Sequence, residues 1–126
     1  MNDIIAERLF QAREGGPVVA RIYAPERMGQ SSEWSCKVAI SGLDVPYEET
    51  VIGVDSFQAV YLGLRLICTQ IEKVASTLRF LDGEEGDPCT PLIYPWSYSP
   101  SLKAKMYRLI DEKIKEELNA VDDKKV

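Results

Sequence analysis

Polar and apolar residues alternate most cleanly over residues 34–41. In WSCKVAIS, Trp34, Cys36, Val38 and Ile40 fall on one side and Ser35, Lys37, Ala39 and Ser41 on the other. A period of two is that of a strand with one buried face. Val18 to Ala24, VVARIYA, is rich in β-branched and aromatic residues and predicts a second strand. YEETVI, residues 47–52, predicts a third. Residues 4–12, IIAERLFQA, fit either a helix or a strand that pairs with the next segment. Polar links containing Gly15-Gly16-Pro17, Pro25 and Gly42 to Pro46 separate these segments.

From residue 57 the period changes. Phe57, Val60, Tyr61, Leu64, Ile67, Cys68, Ile71, Val74 and Ala75 recur at three and four residues. The spacing predicts an amphipathic helix over 56–75, with a stripe wide enough to cover a sheet face. TLRFL, residues 77–81, predicts a short strand, and DGEEGDP an acidic turn. Prolines at 91, 95 and 100 break regular structure in CTPLIYPWSYSP. Ser99 and Pro100 suit a helix start, as cap and first-turn residue. Leu102, Met106, Leu109, Ile110, Ile114 and Leu118 predict a helix over 101–119, with Asp111/Lys115 and Lys113/Glu117 at i, i+4 on its other face.

The expected fold class is α+β. An antiparallel meander sheet of about four strands packs against one long amphipathic helix, with a second helix at the C-terminal end. A single domain is expected over 1–126: strand-rich over 4–52, helical over 56–75, a proline and aromatic loop over 82–100, a helix over 101–119 and a frayed tail over 120–126.

Composition narrows the function classes. The chain of 126 residues has a formal net charge of −5. Phosphate contacts need a dense Lys/Arg surface, so no nucleic-acid partner is expected. An acidic surface suits a basic protein partner. No apolar run spans a membrane, and MNDIIAERLF is not a signal peptide, so a cytoplasmic setting is expected. There is no histidine. That removes Ser-His and Cys-His nucleophile systems and the commonest transition-metal ligand. Cys36, Cys68 and Cys89 are odd in number and widely spaced, which fits neither a disulfide framework nor a zinc site. No cofactor, metal or enzymatic activity is expected.

GVDSFQAV, Gly53 to Val60, poses one chemical question: whether Ser56 reacts or merely begins a helix. Asp55 and Gln58 form a capping-box arrangement, with Gly53 allowing a sharp exit from the strand. A hydrolase elbow needs G-x-S-x-G and a histidine, and both are missing. The Asp-Ser pair opening a helix resembles the attachment site of acyl and peptidyl carrier proteins, which implies phosphopantetheine on Ser56. Carrier proteins are helical bundles, whereas the segments before this motif read as strands.

A longer pattern combines Trp34, Cys36, Ile40, Gly42 and Leu43 with Gly53, Val54, Asp55, Ser56, Gln58 and Ala59. It is similar to a bacterial family of small uncharacterised domains, over about residues 4–75. The resemblance implies a strand-rich half followed by a helix and assigns no catalytic residue.

The expected function is therefore a non-catalytic protein-binding module, with an immunity- or antitoxin-like role as its most concrete form. A small-molecule or peptide-binding domain is the alternative, and a carrier modified at Ser56 a third reading. The candidate interface is Tyr94, Trp96 and Tyr98 in the aromatic loop, with Glu84, Glu85 and Asp87 in the acidic turn. Asp55 and Gln58 are structural. A dimer is compatible with the sequence.

Overall fold

A computed structural model describes residues 3–91 and 99–124. The chain divides into two compact units, Met1–Pro95 and Trp96–Val126.

The first unit contains β1 (Ile4–Ala12), β2 (Val18–Tyr23), β3 (Glu26–Arg27), β4 (Trp34–Ser41), β5 (Tyr47–Gly53), α1 (Ser56–Lys73) and β6 (Leu78–Arg79). The segment 4–12 is a strand, because its backbone pairs with β2 from Ile4↔Tyr23 to Phe10↔Val18. All pairings are antiparallel. The central path is a meander in which β1 pairs β2, β2 pairs β4 and β4 pairs β5.

β3 lies in a connection expected to be irregular. It continues the line of β2 along the same edge of β4, with the register moved by one residue between Ile22↔Val38 and Glu26↔Ser35. Pro25 stands in the gap. It has no N–H to give the ladder, so one long strand becomes two. The expected strand in 77–81 shrinks to β6, which pairs Arg79 and Leu78 with Gln11 and Ala12.

The alternation in β2 and β4 sets the core. Val18, Ala20, Ile22, Cys36, Val38 and Ile40 are buried on the face that α1 covers, joined by Phe10 and Leu78. The helix supplies Ala59, Gly63, Ile67, Cys68 and Ile71 as its buried residues. This face differs from the expected stripe at its start, where Phe57 is 83% exposed. Small residues lie nearest the sheet instead. A Cβ on Gly63 would sit 3.0 Å from Val38 Cγ1 and 3.2 Å from Cys36 Sγ, so glycine sets how close the helix can approach. After α1, the acidic turn is fastened to the sheet. The Gly86 N–H donates to the Leu78 carbonyl at 2.8 Å, and Arg8 Nη1 donates to the Cys89 carbonyl at 2.8 Å. Arg8 also lies 4.2 Å from the Phe80 ring centroid.

Among the described residues the second unit is one helix, α2 (Pro100–Lys124). Ser99 caps it as expected, its hydroxyl accepting from the Leu102 N–H at 3.3 Å. The helix runs on through most of the tail expected to be frayed. No glycine or proline follows Asn119, and Val121 continues the apolar spacing. Of the two expected ion pairs, Lys113–Glu117 forms at 3.1 Å, while Asp111/Lys115 does not. Among the described residues, no helix is long and apolar enough to cross a membrane.

Candidate functional site

The junction around Ser56 is a helix start. Asp55 has extended backbone (φ −150, ψ 177), and its Oδ1 accepts from the Gln58 N–H at 2.8 Å. Gln58 Oε1 accepts from the Val54 N–H at 2.8 Å. The reciprocal bond therefore lands one residue before the cap, a variation on the usual box. Ser56 is half-buried as the first helical residue, and Asp55 and Gln58 carry the cap bonds. Gly53 is required here, since a Cβ would collide with the backbone of Ala59.

The acidic turn does not gather its carboxylates. Glu85 pairs with Arg13 at 3.4 Å, and Asp87 Oδ1 accepts from the Cys89 N–H at 2.9 Å. Glu84 accepts the Asp87 N–H through its backbone carbonyl. Among the described residues, no group of three His, Cys, Asp or Glu is placed to hold a metal ion. A small hollow of about 130 Å³ lies beside this turn, lined by Gln11, Arg13, Arg79, Glu85 and their neighbours. Tyr94, Trp96 and Tyr98 lie outside the described residues.

The thiols divide by burial. Cys36 and Cys68 are buried, and desolvation pushes both thiols above their ordinary value. For Cys68, the nearby charges of Arg8 and Glu72 are smaller opposing influences. Raised thiols are poor nucleophiles. Cys89 is exposed.

The face of the sheet away from α1 carries a charged lattice. Arg21 Nε donates to Glu7 at 2.7 Å, and Lys37 Nζ lies 3.2 Å from Glu48. The same ammonium lies 4.8 Å from the Tyr23 ring centroid. The Glu7 hydrogen bond is the main reason that Arg21 holds its proton more firmly than usual.

A second opening was not anticipated from the sequence. A groove of about 370 Å³ runs between β5 and α1, lined by Val51, Ile52, Leu62, Arg65, Leu66 and Thr69. Among the described residues β5 pairs with β4 alone, so its other edge presents unpaired backbone groups. The strand carries exposed Glu48, Glu49 and Thr50 in its first half. At its end and beyond, apolar side chains stand in water: Ile52 is 50% exposed, Val54 67% and Phe57 83%. Leu62 and Leu66 are the signal that sequence reading passed over. They are apolar at i, i+4 but lie off the main stripe of α1.

An open strand edge beside an apolar groove can take an extended chain. The edge supplies main-chain hydrogen bonds, and the groove receives alternate side chains.

No curated protein and no solved structure matches the chain. A family match covers residues 6–89, which takes in the sheet, α1 and the acidic turn and leaves α2 outside. The chain belongs to the family described as Domain of unknown function (DUF6968).

Proposed function

We propose that the sheet and α1 form a non-catalytic protein-binding module that takes an extended segment of a partner as an added strand on β5. The observation that carries this reading is the unpaired edge of β5 beside the groove lined by Val51, Ile52, Leu62 and Leu66. The apolar groove calls for a partner segment with apolar side chains at alternate positions. Glu48 and Glu49 on β5, with a net charge of −5 for the chain, call for basic residues between them. An immunity- or antitoxin-type role in a bacterial cytoplasm, with a basic toxin as partner, is the concrete form of this reading.

The test joins capture to mapping. A tagged chain is used to recover a partner, and hydrogen exchange then locates the contact. Protection is expected at Tyr47–Gly53 and along α1 from Leu62 to Thr69. The variants Leu62→Glu and Leu66→Glu should abolish capture while the circular dichroism spectrum stays native. Protection confined to other surfaces would overturn the assignment. An unchanged intact mass at Ser56 in chain recovered from its native cells is also expected, since the serine serves only as the first residue of α1.

A further inference from the structure

Among the described residues the second unit is a single helix, and a single helix has no core of its own. Its apolar residues include a row at intervals of four, Leu102, Met106, Ile110, Ile114 and Leu118, with Tyr107, Leu109 and Val121 beside it. Four of the five in the row are exposed, from 37% for Ile110 to 60% for Leu118. The spacing of the row is the same in both directions from Ile110. Two charges share its symmetry. Lys103 and Glu117 each stand seven residues from Ile110. At about 100° per residue, seven steps return to within about 20° of the starting direction, so both lie on the apolar face.

The remaining charges follow the same division. Between residues 100 and 110 the helix has Lys103, Lys105 and Arg108 and no acid; beyond it come Asp111, Glu112, Glu116, Glu117, Asp122 and Asp123, mixed with Lys113, Lys115 and Lys124. This order opposes the helix dipole, which favours acids at the start and bases at the end. The first turn holds no acid at all. Such a helix is poorly arranged to stand alone and well arranged to meet its own reverse.

We infer that α2 pairs with α2 of a second copy of this chain, antiparallel and crossing at Ile110. In that register Ile110 meets itself across the two-fold axis with Met106 and Ile114 flanking it, and Leu102 and Leu118, each about 80° round the helix from Ile110, border the contact. Lys103 of each copy faces Glu117 of the other, so the ion pair forms twice. Among the described residues Lys103 has no ion pair, and Glu117 has Lys113, which also reaches Glu116 at 3.6 Å. A parallel pair would instead set basic half against basic half and acidic half against acidic half. Charge therefore selects both the partner and the direction.

Sedimentation equilibrium on the full chain tests this, across concentrations up to about 100 µM. The natural chain is expected to be a dimer. Lys103→Glu and Glu117→Lys should each weaken the dimer by about tenfold or more, because each sets like charges against each other twice. An equimolar mixture of the two variants should dimerise again, since one copy then offers two acids and the other two bases. Circular dichroism checks that each variant keeps its helix. A natural chain that stays monomeric would overturn the inference, as it would if α2 covered the first unit or a lipid surface instead. So would a dimer that both single variants leave intact, or a mixture that fails to recover.

Discussion

At the scale of single residues, two glycines and one aspartate fix the geometry. Gly53 has backbone against the space where a Cβ would go, whereas Gly63 meets side-chain atoms of Val38 and Cys36. Backbone cannot yield as side chains can. Gly53→Ala should therefore cost about 1–3 kcal/mol in urea unfolding, and Gly63→Ala less. Asp55→Ala should cost about 1 kcal/mol by removing the cap bond to Gln58. Ser56→Ala should change stability little, since Ser56 makes neither cap bond. A larger loss for Ser56→Ala than for Asp55→Ala would contradict the assignment of the cap. The thiols give an independent check on burial. Iodoacetamide should label Cys89 alone in the native chain, and Cys36 and Cys68 only after unfolding.

Elements differ in how much of them the sequence displays. β4 shows its burial in plain alternation because one face packs and the other meets water. The onset of α1 is equally visible, since a cap is a local arrangement of a few residues. The face of α1 is less so. Ala59 and Gly63 carry weak hydrophobic signal yet lie deepest, because small side chains let the helix approach the sheet. Phe57 carries a strong signal yet stands exposed. The groove was hidden for a different reason. It depends on which strand lacks a second neighbour, and that is a property of sheet order, not of any strand's own residues. In the acidic turn the Glu85 carboxylate bonds to Arg13 and the Asp87 carboxylate to the Cys89 N–H. Sequence proximity there reflects turn formation.

For the whole molecule, burial of the thiols, with that of Tyr47, works against the folded chain at alkaline pH. Free thiols titrate near their ordinary value of 9.0, while burial raises Cys36 and Cys68 in the folded chain. Above that pH the unfolded chain has lost protons that the folded chain retains. Stability is then full below about pH 9 and falls as the pH rises through the folded values. Urea midpoints measured from pH 7 upward should show this decline. The double variant Cys36→Ala/Cys68→Ala should flatten it while lowering stability at neutral pH through lost packing. An equally steep alkaline decline in that variant would assign the effect to other groups.

The division of the chain gives each unit its own surface: an open strand edge in the first and an exposed apolar helix face in the second. The edge is the central claim, and amide hydrogen exchange of the free chain, resolved by NMR, tests it most directly. Amides of Tyr47–Gly53 should alternate, slow where the N–H meets β4 and fast where it points outward. Adding the captured partner should slow the fast set. Uniform slow exchange along β5 in the free chain would mean that its outer edge is already covered, and would contradict the account.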